Sequence, residues 1–136
     1  MGTLSEREKT TNVASTTINS YLKEEDYISA LLLSSIYSQI RLKSIVTDRL
    51  SPAQDKWKRT TKNIEISFRN LVKICYDLEL LNVQERTDLI TLWKKRCNVA
   101  HESTLWKKLS EVEKKEIAQV CNNTIQFLKR TNHKIE

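Results

Sequence analysis

Hydrophobic positions recur along most of the chain at the three-to-four-residue spacing of helices, and no stretch alternates as a strand would. Val13, Ile18, Tyr21 and Leu22 form a stripe that fades at Lys23-Glu24-Glu25, after which Asp26 is placed to cap a helix expected over Tyr27–Leu50. The middle of that helix, from Tyr27 to Ile40, is apolar on nearly every side, which suits the centre of a bundle or a contact with a second subunit. Ser51-Pro52 reads as a helix restart, and the basic stretch from Trp57 to Asn63 as a short helix or a loop. Ile64, Phe68, Leu71, Val72, Cys75 and Leu78 predict an amphipathic helix over Ile64–Leu80, with a turn at Leu81-Asn82. Val83–Ala100 is the next predicted helix, broken at His101-Glu102-Ser103. Ser110 with Glu113 is a capping box that opens a last one over Glu111–Lys129. Residues 1–14 are polar and weakly patterned, and are expected to fray or to form a short helix.

Composition sharpens this into a fold class. One Gly and one Pro in 136 residues leave little material for the turns and bulges of sheets. The expectation is an all-α, up-and-down helical bundle of four to five helices, a single domain over residues 1–136. Cys75, Cys97 and Cys121 are odd in number and far apart, so neither a disulfide scaffold nor a zinc spacing is present. With only His101 and His133 beside them, no metal and no cofactor is expected. The longest apolar run, Ala30 to Leu33, is too short to cross a bilayer, and the N-terminus lacks the apolar centre of a signal peptide. A cytoplasmic protein with no membrane partner is expected.

One position breaks the amphipathic pattern. On the helix from Val83, residues Leu89, Trp93, Arg96 and Ala100 share a narrow stripe, flanked by Leu92 and Val99 on one side and Ile90 and Cys97 on the other. Arg96 thus stands in the middle of an apolar face. A guanidinium there needs an anion, an interface or a wet cleft, unless the helix stops short of it or its stem snorkels. His101 follows five residues later, at the expected helix end, where a turn of the chain would bring the two side chains together. Lys94, Lys95, Lys107 and Lys108 gather around the pair, within a formal net charge of +6 that favours polyanions.

The segment Arg96-Cys97-Asn98-Val99-Ala100-His101 resembles the R-x4-6-H motif of HEPN domains. The surrounding order is also similar: Phe68 to Leu81, a turn, then Leu89 to Trp93 leading into the motif, with Tyr27–Leu50 in the place of the family's long early helix. The likeness covers roughly residues 20 to 130. Two positions depart from it. Cys97 stands where a polar residue usually follows the motif arginine, and Ser103 where the toxin branch paired with a nucleotidyltransferase often carries Tyr. The second departure argues against that branch.

The resemblance implies a HEPN-like fold and a metal-independent endoribonuclease acting on single-stranded RNA. A histidine with an ordinary pKa near 6.5 exchanges protons at neutral pH, and a guanidinium grips phosphate oxygens while keeping its charge. The expected catalytic residues are Arg96 and His101, supported by Asn98, with Lys94, Lys95, Lys107 and Lys108 guiding the RNA. One histidine does not serve both sides of a phosphorus easily, so the family implies a homodimer with two motifs in one cleft. A toxin-like or defence role would add an antitoxin or other regulatory protein as partner. Two rival readings stand beside this one: a non-catalytic module that binds RNA, a nucleotide or a protein, and a purely structural bundle in which Arg96 pairs with a carboxylate.

Overall fold

A computed structural model of the chain describes residues 5–49, 66–101 and 109–133, apart from the side chains of Ala100 and His101. The described residues form five helices: α1 (Glu6–Lys23), α2 (Tyr27–Arg49), α3 (Phe68–Asp77), α4 (Val83–His101) and α5 (Glu111–Arg130). No strand occurs among the described residues, and the chain is an all-α helical bundle. None of these helices is long and apolar enough to cross a membrane. The central element is α2, which packs against all four others. Its Leu31, Leu42, Ile45 and Val46 join Ile18 of α1, Phe68 and Leu71 of α3, Leu92 of α4 and Leu128 of α5 in one contiguous core.

The helix boundaries follow from local chemistry. Ser5 and Glu8 form a capping box at the start of α1, so of the two expectations for the N-terminal segment the helix is the one found, beginning at Glu6. Its buried face is Thr11, Ala14 and Ile18, which leaves Val13 exposed. Asp26 does cap the next helix, accepting from the Ser29 amide at 3.1 Å. The predicted Ile64–Leu80 helix is shorter than expected. Ser67 accepts from the Asn70 amide at 3.2 Å and fixes the start at Phe68, while Ile64 lies outside the described residues. Its end is set by Glu79, which adopts φ 61°.

The turns after α1 and α3 are closed by the same device. Asp26 N–H reaches the Tyr21 carbonyl and Leu80 N–H reaches the Cys75 carbonyl, both at 2.8 Å, across a residue with positive φ (Glu25 and Glu79). Glycine usually takes that left-handed position at a helix C-terminus; a chain with one glycine spends glutamates there, against a cost of roughly 1–2 kcal/mol each. At α4, Asn82 and Glu85 form a reciprocal cap at 2.8 and 3.0 Å. Glu85 is tied in turn to Arg130, whose Nη2 donates to the Leu80 carbonyl at 2.8 Å. The end of α5 is thereby fastened to the α3–α4 turn.

Candidate functional site

Residues Val83 to His101 form one unbroken helix, which extends the predicted element by a residue. Arg96 to His101 is helical throughout, with neither glycine nor proline to interrupt it, and the expected break at Glu102-Ser103 lies outside the described residues. Helical geometry therefore sets the His101 position about 140° round the axis and about 7.5 Å along it from Arg96. Within one chain the two motif residues diverge. The side-chain contacts of His101 lie outside the described residues.

Arg96 is half-buried on the flank of α4 that faces α2 and α3. Its guanidinium lies 4.8 Å from the ring centre of Trp93, and the same indole stacks on Phe68 at 5.0 Å with the planes 5° apart. Arginine over indole is a favourable cation–π geometry that orients the fork without consuming its hydrogen bonds. These residues line an open groove of about 430 Å³, whose other walls are Ser35, Ile36 and Gln39 of α2 and Ile66-Ser67 ahead of α3. No carboxylate pairs with Arg96 among the described residues. Beside the groove, Ile36 and Ile40 are 51% and 53% exposed one turn apart on α2.

The supporting residues separate. Asn98 and Lys95 line a different and smaller cleft of about 120 Å³ on the α5 side of α4, with Leu31, Val99 and Ile117. Lys95 donates to Glu116 at 2.6 Å, so part of its charge is already met by α5. Lys94 is exposed on α4, while Lys107 and Lys108 lie outside the described residues. No group of three His, Cys, Asp or Glu residues among the described ones is placed to hold a metal ion.

A second arginine on an apolar stripe escaped the sequence reading. Arg41 of α2 is only 3% exposed, in line with Leu31, Ser34, Ser38 and Ile45. Its Nη1 donates to the Leu128 carbonyl (2.6 Å) and Thr131 Oγ1 (2.9 Å), its Nη2 to the Arg7 carbonyl and Thr11 Oγ1 (3.1 Å each). Burial, with help from the Arg7 charge, lowers its pKa to about 10, still cationic at neutral pH. Arg7 is itself held by Asp48 and by Ser44 Oγ at 2.6 Å. The signal that singles out Arg96, a cation on an apolar stripe, was equally present at Arg41.

The cysteines divide the same way. Cys75 and Cys121 are buried, and desolvation pushes their thiols up to about 12 and about 11, whereas Cys97 is half-buried beside Arg96. The two buried thiols are therefore inert core residues. Comparison of the chain with protein-family models, curated proteins and solved structures finds no match, so its own residues carry the functional argument.

Proposed function

We propose that this chain is a HEPN-like, metal-independent endoribonuclease that cleaves single-stranded RNA at a cleft shared by two copies. The observation that carries the reading is Arg96: a guanidinium oriented by Trp93 in an open groove, with no carboxylate paired to it among the described residues. A groove-lining cation with free donors is suited to a phosphate. The exposed Ile36 and Ile40 beside it offer the apolar surface on which a second copy would close the cleft.

In this mechanism His101 of one copy takes the proton of the 2′-hydroxyl, whose oxygen attacks the adjacent phosphorus. The bond to the 5′-oxygen breaks, and that oxygen takes a proton from His101 of the second copy. The products are a 2′,3′-cyclic phosphate and a 5′-hydroxyl. Arg96 binds the equatorial oxygens as their charge grows in the transition state. The test is cleavage of labelled single-stranded RNA with EDTA present. Wild type should cut and leave the cyclic end; Arg96→Lys and His101→Ala should each lose most activity while staying folded. If wild type leaves RNA intact, or His101→Ala cuts as fast, the ribonuclease reading fails.

A second reading, a non-catalytic RNA-binding module, is favoured by one observation. The continuous α4 holds the Arg96 and His101 positions about 140° apart, as suits two independent contacts better than one concerted site. Tight RNA binding without cleavage by either wild type or variants would select it.

A further inference from the structure

A second groove lies on the outer seam of α3 and α4, apart from the Arg96 groove. It measures about 400 Å³, and Arg69, Asn70, Lys73 and Tyr76 from α3 face Arg86 and Ile90 from α4. Three of these are exposed cations, against the single carboxylate of Asp77 in the lining. A patch of surface cations is most often only a solvated face. Three features set this one apart. It is concave, where scattered surface lysines are not. None of Arg69, Lys73 and Arg86 is paired with a carboxylate among the described residues; the ion pairs there use Arg7, Lys9, Lys95, Lys114 and Arg130. And Arg86 is held in place, its guanidinium 4.4 Å from the centre of the Tyr76 ring.

The two grooves share one seam. Phe68 stacks on Trp93 at one end of it and Arg86 lies over Tyr76 at the other, so a ring–ring contact and a cation–ring contact join the same two antiparallel helices. Eight residues of α3 separate Phe68 from Tyr76, about 12 Å along the axis. On α4 the positions of Arg86, Ile90, Lys94, Cys97 and His101 follow one another at helical spacing. This stripe of α4 runs from the Arg86 groove, past the Trp93 end of the seam, to the register position of the motif histidine. Alternating cations and aromatic rings along a shallow track is the usual solution for holding a single strand without reading its sequence.

We propose that the Arg69–Lys73–Arg86 groove binds the sugar–phosphate backbone of single-stranded RNA and feeds the strand along the α3–α4 seam toward His101. This rests on the RNA reading above, but on different residues. Arg69 and Lys73, one helical turn apart, and Arg86 opposite them contact successive phosphates, while Val72 and Ile90 supply an apolar floor for ribose. The main RNA path therefore lies on α3 and α4 rather than on Lys95, whose ammonium is engaged by Glu116.

The test uses the full chain carrying His101→Ala, so that RNA stays whole, and a fluorescein-labelled oligouridylate whose anisotropy is followed across a salt titration. Added Arg69→Glu, Lys73→Glu and Arg86→Glu should weaken binding by at least about tenfold and lower the slope of log K against log salt by about 2, from roughly 0.7 per lost contact. A control with Lys23→Glu, Lys115→Glu and Lys129→Glu makes the same change in net charge on exposed positions elsewhere. It should cost no more than about threefold. If the reversed set does not fold by circular dichroism, the three glutamine variants should still show the loss of slope. Equal losses in groove and control sets, or an unchanged slope in the groove set, overturn the groove while leaving the ribonuclease reading standing. A parent protein that binds no oligouridylate at any salt overturns both.

Discussion

Arg41 and Arg96 begin from the same anomaly, a guanidinium on the apolar stripe of a helix, and end in opposite roles. Arg41 projects from α2 between α1 and α5, where four oxygens from those helices and the turn after α5 receive its two terminal nitrogens. Arg96 leans from α4 toward the other side of α2, stays half in solvent, and rests on an indole that uses none of its donors. What separates them is the supply of acceptors. The Arg41 acceptors are carbonyls at Arg7 and Leu128 and the hydroxyls of Thr11 and Thr131, of which the Leu128 carbonyl lies in the last turn of α5, where backbone oxygens lack intrahelical partners. The Arg96 groove offers Ser35, Gln39 and Ser67 along its walls, without a recorded bond to any of them. A cation on an apolar stripe thus marks either a brace or a ligand site, and the test is whether the protein itself satisfies it.

The largest effect should come from removing the brace. Arg41→Ala takes the charged donor away from four acceptors and leaves a cavity between three helices. The expected loss is about 3–5 kcal/mol, the range for breaking a buried polar cluster from one side. Against a total stability of roughly 5–15 kcal/mol for a domain, that would bring the melting transition close to working temperature. Arg41→Lys should recover only part of it, because one ammonium does not span acceptors on opposite sides of a planar fork. Urea denaturation followed by circular dichroism decides the matter; a midpoint within a few tenths molar of wild type would remove Arg41 from its role.

Next is chemistry at the other arginine. In the ribonuclease reading His101→Ala should lower the cleavage rate by about 10²–10⁴-fold, the usual range for acid–base catalysis. Arg96→Lys should lose most activity through the missing bidentate grip. Both should keep the wild-type melting temperature. A parallel fall of activity and stability in Arg96→Lys would assign it to the class of Arg41.

These two arginines also mark how far the sequence could be read. The all-α bundle was legible because hydrophobic spacing and the dearth of glycine act locally, and so were the caps at Asp26 and Ser110. The Ser5–Glu8 capping box was equally visible, although the weak apolar stripe beyond it left fraying and a short helix both open. Arg41 was hidden because its acceptors are up to 90 residues away in sequence and only tertiary contact brings them together. The helix end was legible to within one residue, Ala100 against His101, with α4 continuous up to that point, while Glu102-Ser103 lie outside the described residues. The separation of Asn98 from Arg96 follows from that same continuity, because neighbours two apart on a helix point to different sides.

Assembly is a gentler lever on the contrast, since it concerns only the Arg96 side of α2. Ile36 and Ile40 are exposed and one turn apart, so Ile36→Glu with Ile40→Glu should cost the monomer little. In the shared-cleft reading, light scattering should show a dimer for wild type and a monomer for the double variant, with cleavage lost alongside. A wild-type monomer would remove the second histidine from the mechanism. A dimer untouched by both glutamates would move the interface to another face.

The smallest expected effect is the sharpest test of the comparison. Arg96→Ala deletes the contact with Trp93, worth about 0.5–1 kcal/mol at a partly exposed site. It also relieves crowding among three successive cations, Lys94, Lys95 and Arg96, of which Lys95 alone is paired among these three. The two changes oppose each other, so stability should move by less than about 1 kcal/mol in either direction. Functional residues often behave this way, because a side chain kept for a ligand is not optimised for the empty protein. Trp93 fluorescence should report the lost stacking even where the melting curve does not, which guards against a null result from a side chain that never touched the ring. A loss above about 2 kcal/mol, near half of that expected for Arg41→Ala, would mean that Arg96 is a second brace. The groove would then have no free cation to offer a phosphate, and the contrast between the two arginines would collapse.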